Sequence, residues 1–128
     1  MSLLADGNPI VWVEIPTADL VRAKRFYEAI FDIEIQDFDA GELRFGFFPM
    51  QQGAPNGAVG LVHHPTMYAP SSDGTLVYFA VKDIDAVLDR VESAGGRVLQ
   101  RKKHVGDFGY VGFFADSEGN RIGVHART

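Results

Sequence analysis

Residues 10–64 and 75–126 spell one pattern twice, and this duplication limits the fold more than any other feature of the chain. In the first copy Val11, Val13 and Ile15 alternate with Trp12 and Glu14, the period-two signature of a two-faced strand. Pro16 ends it, because proline cannot donate to a ladder. Thr17 is the expected N-cap of a helix with Asp19 in its first turn. From Leu20, apolar side chains recur at Ala23, Phe26, Tyr27, Ile30 and Phe31, while Arg22, Lys24, Arg25 and Glu28 fill the other face. Strands are expected at 34–38, 43–48 and 58–63, with a turn at 39–41 and a longer loop at 51–57. A linker rich in Pro, Ser, Asp and Gly follows at 65–74. The pattern then restarts with a strand at 75–81. Ile84, Val87, Leu88, Val91 and Ala94 mark a helix that Gly95-Gly96 should stop. Strands are expected at 97–100, 109–115 and 121–125.

The copies align without forcing. Asp19-Leu20 matches Asp83-Ile84, Phe47-Phe48 matches Phe113-Phe114, and Val59-Gly60-Leu61 matches Ile122-Gly123-Val124. A repeat this long is a duplicated half-domain rather than a solenoid unit. Each half alone leaves a sheet face open, so two halves must pair, within one chain or between two. The expected fold is therefore α+β: a single domain over residues 1–128, with two βαβββ repeats forming curved mixed sheets around a cleft and helices outside.

Bulk properties narrow the function. A net charge of −5 argues against nucleic acid, which needs clustered Lys and Arg. The one basic run, Arg101-Lys102-Lys103-His104, reads as a solvated strand end or loop. With no cysteine, disulfides, thiolate chemistry and Cys-based zinc sites are excluded. No apolar run approaches the roughly 20 residues of a membrane helix, and no basic-then-apolar leader is seen, so a cytoplasmic location is the expectation.

Phe26-Tyr27-Glu28-Ala29-Ile30-Phe31 after Asp19-Leu20, Val81-Lys82-Asp83-Ile84-Asp85 before Ala94-Gly95-Gly96, and the hairpin from Phe114 to His125 together resemble the glyoxalase/bleomycin-resistance/dioxygenase superfamily, also called vicinal oxygen chelate. The resemblance covers roughly residues 10–126. It implies a small-molecule cleft. In the metal enzymes of this superfamily, four strand positions supply His, Gln or Glu to one divalent cation that polarises substrate oxygens. Activities include glyoxalase I, extradiol dioxygenase, fosfomycin resistance and methylmalonyl-CoA epimerase, while metal-free members sequester bleomycin-like drugs. Carried over residue by residue, the four ligand positions fall on Trp12, Gly60, Leu76 (or its neighbour) and Gly123. None offers a side-chain donor, so no metal and no other cofactor is expected at the usual site.

Strand alternation gives an expected cleft lining. Trp12, Arg44, Phe48, Tyr78, Tyr110 and Phe114 are the candidate ligand-binding residues. Gly60, Gly112 and Gly123 would admit a ligand close to the backbone. Glu14, in an apolar strand, is a candidate base, with a plain salt bridge as the competing reading. His125, two residues beyond Gly123, is a candidate acid/base group or displaced metal ligand, against an unremarkable terminal histidine. His63 and His64 are adjacent, so on a strand they point to opposite faces.

Two functions follow. The first is a metal-independent protein that binds an aromatic or amphipathic small molecule, most simply as a homodimer. The second is a metal-dependent lyase or isomerase resembling lactoylglutathione lyase, with a relocated metal site using Glu14, His64 or His125. Fold alone does not choose between them.

Overall fold

A computed structural model describes residues 2–51, 53 and 57–128. The loop expected at 51–57 lies partly outside the described residues. The elements run β1 (Trp12–Pro16), α1 (Leu20–Phe31), β2 (Gln36–Ala40), β3 (Leu43–Phe47), β4 (Ala58–His63), β5 (Val77–Ala80), α2 (Ile84–Leu88), β6 (Arg97–His104), β7 (Tyr110–Ala115) and β8 (Arg121–Ala126). They form two four-stranded mixed sheets, ordered β1-β4-β3-β2 and β5-β8-β7-β6. In each, the first strand runs parallel to the last and the other pairs are antiparallel. This is the βαβββ unit twice. The sheets do not join: β1 and β5 each pair along one edge among the described residues.

The two copies start their helices identically. Asp19 and Asp83 are the N-caps, each accepting the amide three residues on, at Arg22 and Ala86. Thr17 is thus not the cap. It is buried, and its hydroxyl donates to Val62 O at 3.1 Å, tying β1 to β4. After Leu88 the second helix tightens, with Arg90 N bonding Val87 O and Val91 N bonding Leu88 O. The 84–94 pattern therefore continues as turns that keep Val91 buried. β6 runs on to His104, so the basic run is strand. Arg101 reaches back to Asp89 at 2.8 Å and Lys102 lies over the Tyr110 ring.

One core spans both repeats. Tyr27 and Phe26 of α1 meet Phe48, Phe79 and Phe114 with ring centroids 5.4 to 6.2 Å apart. The turn at 116–120 latches the second repeat onto the first. Tyr27 OH donates to Asp116 at 2.6 Å, Asn120 Nδ2 donates to Pro16 O, and Glu118 accepts from Arg22 and from the Ala18 and Asp19 amides.

Candidate functional site

The strand phase that decides which residues are available for a ligand is set by two glycines. A Cβ on Gly46 would stand 2.9 Å from Ile35 Cγ2 and 3.6 Å from Leu20. One on Gly112 would stand 3.0 Å from Leu88 and 3.1 Å from Ile84. Both glycines therefore face the helices, and Gly112 admits α2 rather than a ligand. Alternation then puts Arg44 and Phe48 on the helix side of the first sheet, and Tyr110 and Phe114 on that of the second. This corrects the expected lining at four positions. Phe48 and Phe114 are core residues, Tyr110 packs against the core, and Arg44 pairs with Asp39 at 3.8 Å. The opposite faces carry Phe45, Phe47, Val111 and Phe113 instead.

On the first sheet's outer face, Trp12 lies over Gly60 and meets Phe47 edge-on, 5.4 Å between centroids at 81°. Phe38 stacks on Phe47 at 5.5 Å, extending the aromatic surface to the sheet edge. Glu14 sits directly opposite Gly60 in the ladder. Its carboxylate accepts from Trp12 Nε1 at 3.2 Å and from Tyr68 OH at 2.6 Å. The hydrogen bond to Glu14 raises the Tyr68 phenol above its usual value, with burial and the carboxylate charge adding to it. Glu14 thus has two donors rather than a salt bridge. Tyr68 escapes a reading of strand periodicity because it lies in the linker. Its only signal in the sequence is that it is the one aromatic between the two repeats.

The second sheet repeats the motif. Tyr78 lies over Gly123 and meets Phe113 edge-on, 5.6 Å at 67°. Arg121 places its guanidinium over Phe113 at 5.4 Å. Tyr78 is half exposed, at 48%. His125 shares this face, its Nε2 against the carbonyl of Phe108.

These glycines bear on the metal question. A Cβ at residue 60 would stand 2.8 Å from Trp12 Cζ2, and one at 123 would stand 2.6 Å from Tyr78 Cδ2. The space a ligand side chain needs is filled by rings. Nor do Glu14, His64 and His125 assemble. His64 Nδ1 accepts the Thr66 and Met67 amides, its Nε2 lies 3.3 Å from Glu42, and His125 is on the other sheet. Among the described residues no three His, Asp or Glu gather to hold a metal. The residues present do not fit the superfamily's cation.

Comparison with known proteins gives the class. The family model of the Glyoxalase/Bleomycin resistance protein/Dioxygenase superfamily matches residues 9–124. The chain belongs to that superfamily. CFP32 of Mycobacterium tuberculosis is 30% identical over 126 residues, covering 88% of this chain and 43% of that protein. The anthracycline biosynthesis protein DnrV of Streptomyces peucetius is 28% identical over 138 residues, 97% of this chain and 48% of that protein. The chain spans about half the length of the curated relatives it matches. TnmS3, an antibiotic binding protein from a Streptomyces species, superposes with a TM-score of 0.68 at 25% identity, covering 97% of this chain and 99% of that one. Maize glyoxalase I shares the fold, with a TM-score of 0.68 at 16% identity over 93% of this chain and 46% of that one. No helix among the described residues is long and apolar enough to cross a membrane.

Proposed function

We propose that this chain binds a planar aromatic small molecule, of the polycyclic antibiotic kind, against its ring-covered sheet faces without the superfamily's metal. The observation that carries this is the pair of rings, Trp12 and Tyr78, lying over the glycines at two of the superfamily's ligand positions. Each ring is braced edge-on by a phenylalanine, so a stacking surface is already ordered and little rotamer entropy is lost on binding. Glu14, held by Trp12 and Tyr68, offers an acceptor for a hydroxyl or amine at the ligand's edge. The antibiotic-binding relative and the anthracycline-pathway relative support the ligand class. A single sheet face covers one side of a flat molecule. A second copy of the chain, presenting its own unjoined sheet, would cover the other, so the binding unit is a homodimer.

Trp12 is the chain's single tryptophan, so its fluorescence reports on the site directly. Titration with a soluble anthracycline should quench it saturably. Tyr78→Ala and Phe47→Ala should each weaken binding by about tenfold, the order expected for one aromatic contact. Absence of saturable quenching across a panel of polycyclic aromatics would sink the proposal. A monomer by sedimentation in the presence of bound ligand would remove the two-copy arrangement.

A further inference from the structure

A cavity of about 580 Å3 lies on the helix side of the sheets, away from their ring-covered outer faces, between the C-terminal end of α1 and the start of α2. Its floor is aromatic: Phe48 and Phe79 stack at 5.5 Å and 10°, and Phe31 meets Phe79 at 5.0 Å. The duplication explains why it is open. The two N-caps set Asp83 equivalent to Asp19, so Arg90 stands where α1 has Phe26, and Ala86 where α1 has Arg22. On α1 that shelf is filled. Phe26 packs on Phe114, and Glu118 lays its carboxylate on Arg22 at 2.8 Å, its side chain closed off from solvent. On α2 the bulky ring is missing, Arg90 turns outward, and the corresponding volume is the cavity.

The rim carries unspent positive charge. Lys82 and Arg90 line the cavity and have no ion-pair partner among the described residues. Of the two carboxylates there, Asp83 accepts the Ala86 amide as the cap of α2, and neither it nor Asp32 forms an ion pair with Lys82 or Arg90 among the described residues. The lining as a whole is charge-balanced, and what it offers an anion is two cationic side chains free of ion pairs rather than a net positive field. The volume falls within the range of roughly 300–1,000 Å3 typical of small-molecule sites, with an apolar wall and few polar groups.

We infer that this cavity is a second ligand site, separate from the sheet faces, and that it takes a small aromatic anion whose ring system rests on Phe31 and Phe79 and whose charged group meets Lys82 and Arg90.

The test uses 8-anilinonaphthalene-1-sulfonate, with N-phenyl-1-naphthylamine as the same body without the charge, followed by amide chemical-shift mapping. The anion should shift Ile33, Val81 and Ala86. Lys82→Glu with Arg90→Glu should weaken it by about tenfold while leaving the neutral probe unaffected. Ala86→Trp fills the cavity from an exposed helix position and should abolish binding. Tyr78→Ala, in the other site, should leave it unchanged, so failure of this inference and failure of the sheet-face reading are distinguishable. The inference is overturned by shifts confined to β5, β7 and β8, by equal response of both probes to charge reversal, or by concentration-dependent shifts at the cavity without probe, which would assign it to a second copy.

Discussion

Asp116→Ala should be the most destabilising truncation of a charged side chain in this chain, costing about 3 kcal/mol or more in urea or thermal unfolding. The Asp116 carboxylate is 3% exposed and accepts four hydrogen bonds: from Tyr27 OH, Asn120 Nδ2, and the Glu118 and Asn120 amides. Removing it strands the hydroxyl of Tyr27, which is fully buried, along with donors that hold the latch between the repeats. Unsatisfied buried donors each cost about 1–3 kcal/mol, and here several are lost together. The comparison variant is Asp116→Asn, which keeps the shape and part of the bonding. If Asp116→Ala matches an ordinary surface substitution, at roughly 0.5 kcal/mol or less, the latch is not what joins the repeats.

The same turn gives an unusual pH response, because its two acids shift in opposite directions. Burial raises the Asp116 pKa above its ordinary value, although the bonds from Tyr27 and Asn120 pull against it. A raised carboxyl favours the protonated native state. Its stabilising contribution is present below the unfolded pKa of about 4 and is lost as pH rises through the folded value. Burial also pushes Glu118 upward, but Arg22, the Asp19 amide and Ser117 outweigh it and leave the group below its ordinary value. Its contribution is therefore present above its unfolded pKa and is lost as pH falls through the folded one. The two partly cancel on acidification. Glu118→Gln should leave stability rising, or falling less, as pH drops below about 5, whereas Asp116→Asn should steepen the acid loss. Parallel pH-stability curves for the two variants would contradict this assignment.

How far the sequence could be read depends on which signals are local. The duplication, the strand–helix–strand order and the buried face of α1 all follow from periodicity within one segment, and Val13, Ile15, Phe26 and Ile30 lie as periodicity requires. The outward phase of Trp12, Tyr78 and His125 was equally legible. The phases of β3 and β7 were not. Each is almost wholly apolar on both faces, as in Leu43–Phe47 and Tyr110–Ala115, so alternation offers no contrast. What fixes them is the close approach of a helix to Gly46 and Gly112, a tertiary fact. The run 116–120 did read as a turn, and it is one. Its second role needs Tyr27, 89 positions away, and no local pattern signals that. The contact of Tyr68 with Glu14, 54 positions apart, escaped for the same reason.

Gly96→Ala should cost about 3 kcal/mol, and more than Gly95→Ala at the neighbouring position, for a reason opposite to the usual one for glycine. The pair reads from sequence as a helix stop, which is a conformational role. Gly95 fits it, with φ of 107° and nothing within 4 Å of where an alanine methyl would sit, so alanine there meets only backbone strain of about 1–2 kcal/mol. Gly96 has no such φ. A Cβ on it would stand 2.5 Å from Ala115 O and 2.6 Å from Phe26 Cε1. Neither neighbour can yield easily, since Ala115 O is backbone of a central strand pair and Phe26 is 1% exposed and packed on Phe114. Because Gly96 lies in the second repeat and Phe26 in the first, the added methyl would strain the contact between the halves as well as the second repeat itself. Thermal unfolding of the two single variants decides it. A larger loss for Gly95→Ala would mean that the pair serves only to end the helix, and that the contact between Phe26 and β7 contributes little to joining the repeats.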